Sequence, residues 1–262
     1  MLSRNVIQFI TSLRIKKYRN ESGSFIVEGE KSVAELLQSH YEIEGLYCTE
    51  DWERENESIA MLKKPDLHII SENELKKVSD LKTPNKVLAV VAIPDESPLV
   101  PDDFLDLILA LDGIRDPGNM GTILRTADWF GIKHVICSPD CVDIYNPKVV
   151  QATMGSFLRI HVHMMELNHA ISQRPGDVPV FGALLSGPKL TEKKFVKPGV
   201  LIIGNESRGI SPGLIPHVTD PIFIPCFRSA GNASLLPESL NASIANAIIC
   251  FEIRKQLSEN KF

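Results

Sequence analysis

The sequence has no apolar run near the roughly 18 residues that a membrane-spanning helix requires. Runs such as LILAL between Asp106 and Asp112 and VLIIG between Gly199 and Asn205 have the length of buried strands. It has no CxxC pair among its five cysteines (Cys48, Cys137, Cys141, Cys226, Cys250). An odd count in 262 residues fits a reducing compartment better than a disulfide framework, so a cytoplasmic protein with core thiols is expected. Cys137 and Cys141 are the nearest pair, and His161 with His163 can share a strand face. No convincing third and fourth ligands accompany them, and no metal is expected. Neither GxGxxG nor a P-loop occurs, which argues against an ordinary dinucleotide or ATP site. Positive charge is not in excess: 28 basic against 33 acidic residues leave a net charge of -5, unlike a non-specific nucleic-acid binder. A secretory apolar segment is also missing. The first 20 residues carry Arg4, Arg14, Lys16, Lys17 and Arg19 without an acid, a composition shared by mitochondrial targeting peptides and folded basic helices; the second reading is adopted.

What is present is globular: 44% hydrophobic and 23% charged residues, in a chain long enough for two domains. Val6, Phe9, Ile10 and Leu13 recur at helical spacing and run into the basic stretch that ends at Arg19. Strand and helix patterns then alternate as far as the apolar run VLAVVAI (87–93), giving a first α/β domain over 1–95. Three prolines and four acids between Ile93 and Asp103 read as a linker, placed at 96–104. From 105 to 262, apolar strand candidates at 105–111, 134–137, 159–164, 178–184, 200–203 and 221–225 are interleaved with helix patterns through Ala127 to Phe130 and over 147–157. That pattern predicts a parallel sheet covered on both faces. The last helix, from about Ser239 to Gln256, is apolar nearly all round through IANAIICFEI, which predicts burial on two sides, its own sheet and a partner subunit.

Parallel sheets bind ligands beyond the carboxyl ends of their strands, so the loops after Leu111, Ile203 and Pro225 hold the candidates. In the first, Pro117 and Gly118 make a turn, Asn119 can cap the helix that follows, Gly121 permits close approach and Arg125 projects later; turn, cap and surface arginine would account for all of these. In the second, GNESRG (204–209) sets an amide, an acid, a hydroxyl and a guanidinium between two glycines, more functional groups than a turn needs. In the third, SLNAS (239–243) opens the apolar helix. Capping accounts for Ser239 and leaves Asn241 and Ser243 in need of partners, because buried unpaired polar groups cost roughly 1–3 kcal/mol each.

NMGTILRTA (Asn119 to Ala127), LIIGNESRGI (Leu201 to Ile210) and IPC followed by SLNASIANAI (Ile224 to Cys226, Ser239 to Ile248) resemble, in order, the three motifs of the SpoU (TrmH) family of SPOUT RNA 2'-O-ribose methyltransferases. KYRNESGSFIVEGEKSVAELL (17–37) is similar to the L30e-like substrate domain of many members. The resemblance implies a small L30e-like α/β/α domain and a parallel-sheet domain with a deep trefoil knot, S-adenosylmethionine as methyl donor with no metal, and a homodimer. It implies catalytic roles for Asn119, Arg125, Glu206, Ser239 and Asn241, and cofactor contacts from Leu184, Ile203, Gly204, Gly209, Ile224, Pro225, Leu240 and Ser243. The stretch between Pro225 and Ser239 is longer than the family pattern and contains a second Asn-Ala-Ser-Leu at 232–235. Ser239 is preferred because the apolar helix follows it directly. Ala242 stands where a larger aliphatic residue is common.

A guanidinium in water keeps its proton far above neutral pH. Two roles therefore stay open for Arg125: a desolvated base, or a cation that orients a phosphate and steadies alkoxide charge. Arg14, Lys16, Lys17 and Arg19 are expected to hold RNA by its phosphates, ribosomal RNA ahead of transfer RNA. The alternative is a catalytically silent RNA-binding or ribosome-assembly protein with the same fold.

Overall fold

The computed structural model describes residues 1–60, 66–95, 97–227 and 239–259. The second Asn-Ala-Ser-Leu at 232–235 and the rest of 228–238 lie outside them. In chain order the first elements are α1 (Arg4–Ser12), α2 (Lys16–Ser22), β1 (Ser24–Glu28), α3 (Glu30–Leu37), β2 (Ile43–Cys48), α4 (Glu50–Ala60), β3 (Leu67–Ile69), α5 (Glu72–Val78) and β4 (Val87–Ala92). Then come β5 (Ile108–Leu111), α6 (Pro117–Trp129), β6 (His134–Cys137), α7 (Pro147–Thr153), β7 (His161–Met164) and α8 (Leu167–Ser172). β8 (Val180–Ala183), β9 (Val200–Ile203), β10 (Asp220–Ile222) and α9 (Ala242–Glu259) complete the chain.

The chain forms two units, Met1–Asp95 with Asp143–Leu158, and Glu96–Val142 with Arg159–Phe262. The first is built on a mixed sheet ordered β1-β4-β2-β3, in which β1 and β4 bury alternate residues on opposite faces while β3 at the edge is only partly buried. Phe25, Val27, Leu46, Cys48, Ala89 and Val91 pack with Val33 and Leu36 of α3 and Trp52 of α4. Ile26, Tyr47, Leu88 and Val90 pack the other way, with Ile10 and Leu13 at the amino end and Leu75 and Val78 of α5. The basic amino-terminal stretch is thus folded structure, as two helices rather than the one expected.

The division differs from the expected one in two places. Residues 143–158 join the first unit because Val150, Phe157 and Leu158 complete its core, with the Phe157 ring 5.9 Å from that of Phe25. Residues 97–104 are not a free linker, since Phe104 is buried in the core of the second unit and Leu99 packs against it.

In the second unit all six strands are parallel, ordered β10-β8-β9-β5-β6-β7. Ile108 and Ala110 of β5 face α8 through Leu167 and Ala170, while α6 and α9 pack on one another. Only part of α9 is inward: Asn246, Ile249, Cys250 and Ile253 are buried, and Ile244, Ile248 and Phe251 are exposed. No helix of the described residues is long and apolar enough to cross a membrane.

Candidate active site

The site grows from the carboxyl ends of β5 and β9, which are neighbours in the sheet. Buried Asp112, just past β5, accepts hydrogen bonds from Ser211 through its backbone N–H (2.6 Å) and its hydroxyl (3.0 Å). Gly113 follows with a left-handed φ of 68°. Its N–H donates to Ser138 Oγ (2.9 Å) and its carbonyl accepts from Asn205 Nδ2 (2.8 Å). Asn205 Oδ1 in turn accepts from the N–H groups of Ser207 (3.0 Å) and Arg208 (3.2 Å), and its backbone pairs with Gly209 in both directions. The loop 204–209 is thereby folded back on itself. A Cβ on Gly204 would overlap the backbone of Gly209 and Ile210, so glycine is dictated there.

The expected capping role of Asn119 is corrected by the structure. Asp116 caps α6, accepting from the Asn119 N–H at 2.7 Å, with Pro117 at the first helical position. The Asn119 side chain is therefore free to reach across the loops. Its Nδ2 donates to Glu206 Oε1 (2.5 Å) and its Oδ1 accepts from Asn241 Nδ2 (2.9 Å). Capping by Ser239 is corrected too. Asn241 caps α9, its Oδ1 accepting from the N–H of Ser243 (2.9 Å) and of Ile244 (3.3 Å) and from Ser243 Oγ (2.6 Å). Ser239 is exposed and makes no hydrogen bond among the described residues.

One polarity runs through this chain of bonds. Backbone donors at the start of α9 fix the Asn241 oxygen, so its NH2 must face Asn119. The oxygen of Asn119 is then the acceptor and its NH2 donates to the carboxylate. Glu206 Oε2 keeps no partner among the described residues. Asn119, Glu206 and Asn241 are brought together; Arg125, exposed on α6, forms no ion pair among the described residues.

Of the residues expected to contact the cofactor, Leu184, Ile203, Gly204, Ile224 and Pro225 stand at or just beyond the carboxyl ends of β8, β9 and β10, three adjacent strands. Leu240 is exposed beside Asn241, while buried Ser243 is engaged by Asn241. Gly209 has a φ of 68° and closes the 204–209 loop.

Sequence reasoning missed Asp140. Its carboxylate meets Ser138 Oγ (2.7 Å), Arg115 (3.0 Å) and Arg208 (3.5 Å). The Ser138 hydroxyl, then Arg115, hold it below the usual carboxylate range. Its position in the loop after β6 was the available signal. Asn246 was missed as well: it is fully buried, and its Nδ2 has no partner among the described residues.

In the first unit the basic set needs correction. Arg19 is 1% exposed, its guanidinium bound to the Asp143 carboxylate and, at 2.8 Å, to the Leu13 carbonyl, so it is a core ion pair and no phosphate ligand. Arg14 is held by the carbonyls of Val78 (3.2 Å) and Ser79 (2.7 Å) and by Asp80 (3.3 Å). Lys16 and Lys17 are exposed.

Residues 106–251 match the profile of the SpoU rRNA Methylase family, and residues 4–89 that of the MRM3-like substrate binding domain. The 23S rRNA (guanosine(2553)-2'-O)-methyltransferase RlmP of Bacillus subtilis is 28% identical over 244 residues, covering 92% of this chain and 93% of its own. A TrmH-family protein from Porphyromonas gingivalis superposes with a TM-score of 0.84 at 39% identity, over 97% of this chain and 99% of that one. An AdoMet-bound rRNA methyltransferase from Sinorhizobium meliloti superposes with a TM-score of 0.84 at 30% identity, over 98% and 97%. Profile, relatives and the hydrogen-bonded meeting of the three loops agree: the chain belongs to the SpoU rRNA methylase family.

Proposed function

We propose that this protein transfers a methyl group from S-adenosylmethionine to a ribose 2'-hydroxyl of structured RNA, with ribosomal RNA as substrate. The observation that carries the proposal is the run of hydrogen bonds from the start of α9 through Asn241 and Asn119 to Glu206, which joins one loop and two helix starts distant in sequence. The relatives add weight: RlmP is named for 2'-O methylation of 23S rRNA, and the Sinorhizobium meliloti structure holds AdoMet.

The residues at the strand ends suit that donor. Leu184, Ile203, Gly204, Ile224 and Pro225 offer apolar surface and backbone groups but no cation, so a positively charged sulfonium meets no repulsion from them. When bound, the donor supplies an electrophilic methyl group on sulfur. The remaining work falls to the chain. A ribose hydroxyl is a weak nucleophile and needs alignment and an acceptor for its proton. Glu206 Oε2, steadied through Asn119, accepts a hydrogen bond from that hydroxyl and orients it; the oxygen–methyl bond forms as the methyl–sulfur bond breaks, and the hydroxyl proton passes to water. Arg125 acts as a cation that meets the neighbouring phosphate and steadies charge developing on oxygen.

The working form is a homodimer in the cytoplasm. Trp129 of α6 is 85% exposed, and Ile244, Ile248 and Phe251 of the adjacent α9 are exposed with it, a stripe that a second copy would cover. The test is incubation of the full chain with methyl-labelled S-adenosylmethionine and ribosomal RNA. Label in alkali-resistant dinucleotides, lost in Arg125→Ala, supports the reading. RNA binding that is equal in wild type and variant, with no label from either, establishes a silent RNA-binding protein instead.

A further inference from the structure

The amino-terminal helices carry a feature that packing does not explain. α1 turns Ile10 into the core, and Leu13 follows it there. Its outward face, continued by α2, lines a groove of about 560 Å³ whose walls include Phe9, Ile15 and Tyr18, which are 40%, 55% and 41% exposed. Isolated exposed apolar residues are ordinary, but a groove with two aromatic rings is not. Asn5 and Gln8 stand in the same wall, and their side-chain amides hold no hydrogen bond among the described residues, nor does the Tyr18 hydroxyl. No acid lines the groove. Lys16 and Lys17 are exposed beside it, the Lys17 ammonium lying 5.8 Å from the centre of the Tyr18 ring; the nearby acid is Glu21, 3.7 Å from Lys17.

We infer that this groove is a subsite for an unpaired nucleobase of the RNA. The inference rests on the proposed function for its substrate class and adds where, and by what chemistry, the first unit takes hold. Aromatic faces stack on any base. Free amides can pair with a base edge, and the lysines meet the flanking phosphates. A second copy of the chain is the poorer occupant, because a two-fold pairing on this face would set Lys16 and Lys17 against their own copies.

The experiment uses the full chain and two fluorescein-labelled RNAs, a hairpin with an unpaired loop and a blunt duplex of equal length. Anisotropy is read over a salt series without methyl donor. Phe9→Ala and Tyr18→Ala are each expected to weaken hairpin binding about tenfold, with the salt slope and duplex binding unchanged. Joint replacement of Lys16 and Lys17 by alanine is expected to weaken both RNAs and reduce the salt slope by about one to two. Asn5→Ala and Gln8→Ala, on the solvent side, repeat the test should a ring variant unfold. Hairpin binding equal to wild type in the folded ring variants overturns the subsite. So does a change in their sedimentation without a change in RNA affinity, which identifies a protein interface. Because no donor is present, failure here is separable from failure of the methyl-transfer assay: wild-type labelling with unaffected binding removes the subsite alone, and ring-dependent binding without labelling removes the enzymatic reading alone.

Discussion

Asn119 holds two joints with one amide, so its loss is felt on both sides. Asn119→Ala frees Glu206 and Asn241 together, and hydrogen bonds to charged groups contribute about 1.5–3 kcal/mol. Methyl transfer is expected to fall roughly 10- to 100-fold, measured as initial rates with ribosomal RNA, and the melting temperature by several degrees. Asn119→Asp should do worse, because it places a second carboxylate against Glu206. An unchanged rate in both would remove Glu206 positioning from the mechanism. Arg19 gives the opposite kind of prediction, structural and not catalytic. Arg19→Met leaves Asp143 without its buried partner and should cost about 3–5 kcal/mol in urea unfolding. The sequence made Asn119, Glu206 and Asn241 visible as residues but assigned two of their bonds wrongly. Capping by Asn119 or by Asp116 looks alike in one dimension, and Ser239 and Asn241 are equally good caps on paper. Arg19 was indistinguishable from Lys16 and Lys17, since charge in a basic run does not say which member turns inward.

At the level of elements, period and length carried most of what could be read. β6 and β9 have the bounds expected because apolar runs flanked by polar turns mark buried strands well. α8 has only six residues, too few for a helical period to register, and its absence from the expectation follows. The near-uniform apolarity of α9 predicted burial on two sides; one side is buried, and Ile244, Ile248 and Phe251 stand exposed on the other. Phe251→Asp therefore puts a charge where a second copy is proposed to pack. Sedimentation should change from dimer to monomer while α9 itself stays folded by circular dichroism; a variant that sediments like wild type would free this face of the dimer.

For the molecule as a whole, acidity is the informative variable. His163 is buried, with Nδ1 3.1 Å from the Ser97 carbonyl and Nε2 3.1 Å from His134 Nδ1. Burial, and then the neighbouring His134, lower its pKa from the ordinary value of about 6.5. Burial also lowers that of His134, against the opposing pull of Asp103. The unfolded chain therefore takes up protons that the folded chain refuses. The stabilisation is complete above about pH 6.5 and is lost as pH falls from there toward the depressed folded values. Urea midpoints should drop between pH 7.5 and 5.5, and His163→Gln should flatten that drop; an equal slope in the variant would exonerate the histidine pair. None of this was legible beforehand, because His161 and His163 could be placed on a strand but not against Ser97.

The return of residues 143–158 to the first unit has a further effect. The polypeptide passes between the two units at residues 95, 142 and 158, so the amino-terminal part is no detachable cassette. A gene truncated after residue 95 would yield a protein stripped of Tyr145 and Phe157, whose rings lie 4.6 Å and 5.9 Å from that of Phe25, and such a fragment would aggregate or need the missing peptide added back. Recombination that exchanges this half for another must therefore carry a second, non-adjacent piece along with it.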